Sequence, residues 1–219
     1  MNTENILSFL SELSINNNRE WFNNNKKRYI IIKKDIELFA HFLIKETAKF
    51  DPDIKDLQPK DCIFRIYRDL RFSPNKEPYK TNIGIYLSKG GKKSFYAGYY
   101  FHLEPSGCFA GGGLWMPPKD ILNSVRKEIF YNADQFKKII NNKSFRKYYS
   151  DIVGDKLVNS PKEFPPDFPD SDLLKYKSYV FTYNLNNKEL NKELQSLIPD
   201  LFKALLPLVK FINNAIDDK

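Results

Sequence analysis

The chain has 219 residues, and a composition that is 42% hydrophobic and 15% aromatic supplies enough apolar surface for a substantial core, which excludes global disorder. Its formal charge of +8 is spread from Lys26 to Lys210 in a chain rich in Asn, Lys and Ile, so charge alone singles out no polyanionic partner. No apolar run reaches the ~18 residues of a membrane-spanning helix. The N-terminal MNTENILSFL lacks the basic region of a signal peptide. Cys62 and Cys108 have neither metal-ligand nor redox spacing. The expectation is a single domain over 1–219, cytoplasmic, with two buried thiols and with no cofactor, no metal and no membrane partner.

Residues 3 to about 14 carry Ile6, Leu7, Phe9, Leu10 and Leu13 at helical spacing and predict a short amphipathic helix. Asn16 to Asn18 interrupt it, and Asn18 is placed to cap a second helix, expected from about Arg19 to Phe50 on the stripe Ile32, Ile36, Phe39, Leu43 and Ala48. Asp51-Pro52 ends that helix, because a residue before proline avoids the α region.

From Cys62 the period changes to two. Cys62, Phe64, Ile66 and Arg68 share one side of an expected first strand, and Ile63, Arg65, Tyr67 and Asp69 the other. The loop from Leu70 to Asn82 holds Pro74 and Pro78, which restrict its backbone. Further strands are expected at Ile83–Ser88, Ser94–Glu104 and from Cys108, joined by short turns that demand antiparallel pairing. Pro117-Pro118 precede a helix with the buried stripe Ile121, Leu122, Val125 and Ile129, and Asn132 to Gln135 has the pattern of a capping box. The proline-rich 159–170 is expected to wrap the surface, pinned by Phe164 and Phe168. One more strand follows at Lys177–Tyr183, then a helical hairpin or kinked helix broken near Pro199 and Pro207. The pattern is α+β: an antiparallel meander with helices from both chain ends on one face.

The string FRIYRDLRFSPNKEPYKTNIG resembles the core of the microbial family catalogued as domain of unknown function 2461, R-x-Y-R-D-x-R-F-S-x-x-K-x-P-Y-K-T. Arg65, Tyr67, Arg68, Asp69, Arg71, Phe72, Ser73, Lys76, Pro78, Tyr79, Lys80 and Thr81 match it residue by residue, while Asn75 stands where the family more often has Asp. The resemblance extends to Asn16–Phe22, to Gly98–Glu104, to Gly111–Trp115 and to the late Leu173–Lys175 and Pro207 regions. It implies a single domain and points to no particular activity, substrate or cofactor.

Alternation in the third strand gives Phe95, Ala97, Tyr99, Phe101 and Leu103 to the core side and puts Tyr100, His102 and Glu104 in a row on the side away from the helices. Arg65, Tyr67 and Asp69 are expected to join them as the floor of a pocket, with Arg71, Lys76, Tyr79 and Lys80 as its wall and Arg68 beside them. Guanidinium forks bind carboxylate or phosphate bidentately. His102 with Glu104 or Asp69 is the acid–base candidate near neutral pH. The same charges also fit a structural lattice in which Asp69 and Glu104 neutralise Arg65, Arg68 and Arg71. Phosphate-binding loops, dinucleotide fingerprints, HExxH and GxSxG are all absent from the sequence. The leading expectation is a pocket for a small phosphate- or carboxylate-bearing ligand, with an enzyme acting on such a metabolite as its extension. A nucleic-acid module using the basic, tyrosine-rich loop and a protein–protein adaptor are the alternatives. Reaction, substrate and oligomeric state stay open.

Overall fold

Asparagines open the first two helices. The Asn2 side chain accepts from the Asn5 N–H at the start of α1, Thr3–Ile15, and the Asn18 side chain accepts from the Trp21 N–H at the start of α2, Arg19–Asn24. The single long helix expected from Arg19 is two, because Asn25 turns the chain and its side-chain amide donates to the Trp21 carbonyl at 3.0 Å, in competition with the backbone. Helix α3 then runs Lys26–Ala48 and buries Ile32, Ile36, Phe39 and Leu43. The computed structural model describes residues 1–71 and 73–218; Phe72 of the matched string lies outside the described residues.

The expected first strand is not a strand. Cys62 closes a one-turn helix α4, Pro59–Cys62, and residues 63–68 and 78–80 form a two-armed ribbon held by isolated bridges, Ile63↔Ile85 and Tyr67↔Tyr79. Phe64 donates to the Gly84 carbonyl, Arg68 to that of Pro78, and Lys80 to that of Ile66. Pro78 has no N–H to return, so the ladder cannot propagate. The period-two pattern is real as burial, with Cys62 and Ile66 inside and Arg65 and Tyr67 outside, but it reports an extended backbone rather than a partner.

Four strands follow: β1 Ile83–Ser88, β2 Gly98–Leu103, β3 Phe109–Leu114 and β4 Tyr179–Asn184, paired antiparallel in the order β1-β2-β3-β4. The register aligns Tyr86, Tyr100, Gly111 and Thr182 across the sheet. The opposite side carries Ile85, Leu87, Tyr99, Phe101, Ala110 and Phe181, all buried. Against that side lies α8, Leu194–Asp217, with Leu201, Leu205 and Leu208 buried over β3. The fold is α+β.

Between β3 and β4 come α5, Lys119–Tyr131, α6, Ala133–Ile140, and α7, Lys143–Arg146. The stripe Ile121, Leu122, Val125 and Ile129 is buried as expected. Asn132 does not cap α6; its side chain instead donates to Glu128 Oε1 at 2.9 Å. In the proline-rich stretch Phe164 and Phe168 pack on Phe130, with ring centroids 5.4 and 4.8 Å apart. No hairpin forms at the C-terminal prolines. After a π-helical turn, Glu189–Glu193, helix α8 passes through Pro199 and Pro207. The carbonyls these prolines leave without an N–H belong to Gln195 and Lys203, both exposed residues, so the missing bonds need not be made inside the core, and the helix continues through both prolines. Among the described residues no helix is long and apolar enough to cross a membrane.

Candidate functional site

Facing away from α8, the sheet carries few large side chains in its centre. Gly84, Gly111 and Gly113 lie among Tyr86, Tyr100, His102, Phe109, Val180 and Thr182, so the surface is hollow where side chains would otherwise stand. Above it is a cavity of about 710 Å³, walled by Phe64 and Lys80 of the ribbon, by Lys92, Lys93 and Phe95 from the β1–β2 connection, and by Trp115, Met116 and Val153. That volume suits a small organic ligand. Phe95, Trp115 and Met116 are exposed, forming an apolar rim. Two close backbone approaches require glycine here. Gly113 has φ +123°, and a Cβ at Gly111 would lie 2.1 Å from the Phe181 carbonyl oxygen.

On the floor, the alternation of β2 aligns three polar groups. The Tyr100 hydroxyl is 2.9 Å from His102 Nδ1, and His102 Nε2 is 3.3 Å from Glu104 Oε2. A carboxylate only accepts, so Nε2 carries the hydrogen and Nδ1 accepts from the phenol. The Asn82 amide also points at Nδ1, at 3.4 Å, and Thr81 Oγ1 donates to Glu104 Oε1 at 3.4 Å. The imidazole stacks on Phe109 with centroids 4.6 Å apart. The row thus runs from the cavity to a carboxylate that is 34% exposed, through a histidine side chain only 12% exposed.

Burial sets the charge states. It pushes the Tyr100 phenol up to about 12, helped by Glu104, and it holds His102 below its ordinary value of 6.5 although Glu104 pulls the other way. At neutral pH the His102–Glu104 contact is therefore a neutral imidazole donating to a carboxylate rather than an ion pair. Lys80 is held below its ordinary value by burial, then by the guanidiniums of Arg65 and Arg68. Its ammonium lies over the Phe64 ring, 5.4 Å from the centroid.

The lowered His102 has a measurable consequence. As pH falls through about 6.5, the unfolded chain takes up this proton before the folded one, so stability drops across the window between the lowered folded value and 6.5. Melting temperatures recorded from pH 7.5 down to pH 5 are expected to show that slope, and the His102→Gln protein is expected to have lost it. Equal slopes in both proteins would place the imidazole in water.

The sequence pattern of the family described as "Conserved hypothetical protein (DUF2461)" matches residues 5–211, nearly the whole chain. The chain belongs to this family. Comparison with curated proteins and with solved structures gives no match.

In this DUF2461 protein the long family string divides in two. Its end reaches the cavity: Lys80 lines the wall, while Thr81 and the adjoining Asn82 hold Glu104 and His102. Its beginning does not. Arg65, Tyr67, Arg68, Asp69, Arg71, Lys76 and Tyr79 are absent from the cavity lining, so the expected shared floor of Arg65, Tyr67 and Asp69 with Tyr100 is not formed. The other alternation of the ribbon faces inward, and Phe64 stands where Arg65 was expected. Asp69 and Arg71 pair bidentately at 2.6 and 3.0 Å, which holds the Asp69 carboxyl well below the usual range. Arg68 reaches Ser73 and Glu77 beside a shallower polar hollow of about 360 Å³, and Lys76 donates to the Leu70 carbonyl.

Tyr79 is an anchor. Its ring stacks on Phe22 at 4.0 Å and 13°, and its backbone N–H and C=O both bond the Asn17 side-chain amide at 3.1 and 3.0 Å. The early family segment Asn16–Phe22 thereby fixes the ribbon whose end builds the cavity. Of the expected site residues, Tyr100, His102 and Lys80 line one cavity and Glu104 backs it. Tyr86, Phe109, Val180 and Thr182 complete it without having been singled out, and Trp115 joins them from the end of the Gly111–Trp115 family segment. The Gly111–Gly113 run was the one signal in the sequence that a backbone or ligand comes close here.

Proposed function

We propose that the cavity binds a small anionic ligand, a carboxylate or phosphate carried on a flat apolar body. The observation that carries this reading is the make-up of the lining. Lys80 and Lys93 contribute to it, with Lys92 beside them donating its ammonium to the Lys60 carbonyl, no Asp or Glu among the described residues does, and the walls include Phe64, Phe95, Phe109 and Trp115. An anion entering such a site gains lysine contacts without a carboxylate competing for them, and the rings take the rest of the molecule. Two arginines of the family string support a separate role as struts of the ribbon, since Arg71 is engaged by Asp69 and Arg68 by Glu77. That engagement weighs against the nucleic-acid reading, which needs those cations directed at phosphates.

A thermal-shift series of aromatic carboxylates and aryl phosphates tests the proposal. A member present at about 100 times its dissociation constant is expected to raise the melting temperature by roughly 5 °C. Lys80→Met, which keeps the stem and removes the charge, is expected to weaken that ligand about tenfold or more. If no anion shifts the protein, or Lys80→Met binds as well as the parent, the reading fails.

A further inference from the structure

Resting on that ligand-binding reading, we infer that the site is catalytic: Tyr100 and His102 move a proton on and off the carbon beside the carbonyl of an aryl-bearing 2-oxo acid, with Glu104 as the positioning residue. The geometry has a direction. The Nε2–H bond to Glu104 fixes the tautomer, which leaves Nδ1 as a base facing the Tyr100 hydroxyl at 2.9 Å. A phenol whose own hydrogen is committed to Nδ1 has its lone pairs free to take another. Tyr100 and His102 both line the cavity, so this oxygen lies within reach of a bound molecule. Gly84 makes the arrangement possible, since a Cβ there would sit 2.7 Å from the Tyr100 hydroxyl. Beyond the imidazole the network continues to Glu104, a carboxylate that reaches solvent and is itself held by Thr81.

The step balances without a co-reactant. The C–H proton passes to Tyr100 Oη as the phenol's proton passes to His102 Nδ1. The C–H electron pair becomes the enolate double bond, and the negative charge moves onto the carbonyl oxygen. The imidazolium formed is stabilised by Glu104, and the enolate by the lysine-lined wall. Returning the proton to oxygen gives the enol, and returning it to carbon gives back the keto form with exchanged hydrogen. The carboxylate answers the lysines, the carbonyl acidifies the C–H, and the aryl group fits the aromatic walls. Both dyad members rest neutral, as burial raises the phenol and lowers the imidazole, so the base is unprotonated when the substrate arrives.

Phenylpyruvate is the probe, with benzoylformate, which lacks the exchangeable hydrogens, as the binding control. The full chain is incubated with phenylpyruvate in D₂O near neutral pH, and loss of the C3–H signal is followed by proton NMR. Exchange is expected to run at least tenfold faster than in buffer and to saturate with substrate, while benzoylformate competes. Tyr100→Phe is expected to keep the affinity and to return exchange to the buffer rate. Gly84→Ala, which removes no functional group, is expected to slow exchange in the same direction by displacing the hydroxyl. Glu104→Gln is expected to slow exchange and to shift its pH profile, which a merely structural carboxylate would not do. Should phenylpyruvate bind but exchange at the buffer rate, or Tyr100→Phe exchange as fast as the parent, the catalytic inference is overturned with the binding reading intact. Failure of both acids to bind overturns the catalytic inference as well, and the thermal-shift series of aromatic carboxylates and aryl phosphates then decides the binding reading separately.

Discussion

Alanine at Gly113 is expected to cost about 3 kcal/mol or more, by addition of one methyl group. Gly113 holds φ +123°, and its Cβ would lie 2.0 Å from the Tyr179 carbonyl oxygen on the adjacent strand. That oxygen is backbone, and moving it pulls apart the pairing of β3 with β4 where Gly113 faces Val180. The penalty is therefore the sum of a conformation that L residues rarely adopt and a contact that cannot relax by a side-chain rotation. Denaturant midpoints measure it. Gly107→Ala is the control, because nothing lies within 4 Å of a Cβ there. Its effect should stay within about 0.5 kcal/mol. If the two variants were equally stable, β3 and β4 would not be paired as described. Since Gly113 also lines the cavity and its carbonyl lies 3.4 Å from the Tyr86 hydroxyl, ligand affinity should fall along with stability.

Removal of the Asp51 carboxylate is the next largest expected loss, about 3 kcal/mol for Asp51→Ala. Asp51 is 2% exposed, accepts from the buried Tyr99 hydroxyl at 2.9 Å, and pairs with Lys210 at 2.8 Å. Without it the Tyr99 hydroxyl is stranded in the core beneath the sheet, whereas Lys210 retains Asp53 at 2.8 Å. The stranded phenol thus accounts for much of the cost. Adding Tyr99→Phe to Asp51→Ala should consequently cost less than Tyr99→Phe does alone. A double-mutant cycle by chemical denaturation decides the matter, and strict additivity would show that the two groups do not interact.

Elements whose burial enforces a period were readable from the sequence. Strand β1 was expected at its observed bounds, and the inward row of Ala97, Tyr99, Phe101 and Leu103 and the stripe on α5 follow from alternation and helical spacing, whereas Phe95, expected in that row, is exposed because β2 begins only at Gly98. The same logic found Tyr100, His102 and Glu104 in one row. It misplaced Arg65, Tyr67 and Asp69 because closeness along a ribbon does not say which of its two sides meets the sheet. That choice is made by Phe64, by Ile66, which is buried, and by the Asn17 amide that holds Tyr79 from 62 residues away in the chain. Tyr86, Val180 and Thr182 were illegible for a related reason. Their membership of the site depends on strand register, and β4 pairs only after three helices have intervened. The prolines of α8 misled because a proline breaks a helix when its freed carbonyl is buried, and here both carbonyls belong to exposed residues.

The late position of β4 and α8 has a cost during synthesis. As the chain leaves the ribosome, the first three strands are finished by Leu114, yet the edge of β3 meets no neighbour until Tyr179 emerges, and although Phe39 and Phe50 already pack on Phe101 and Tyr99, the greasy side of β3 stays uncovered until α8 arrives. A nascent polypeptide in that interval offers both an open strand edge and a sticky plane, the two features that drive chains to coalesce. The order of the elements thus sets how long these features stay open, and the interval ends when the last helix closes over the sheet.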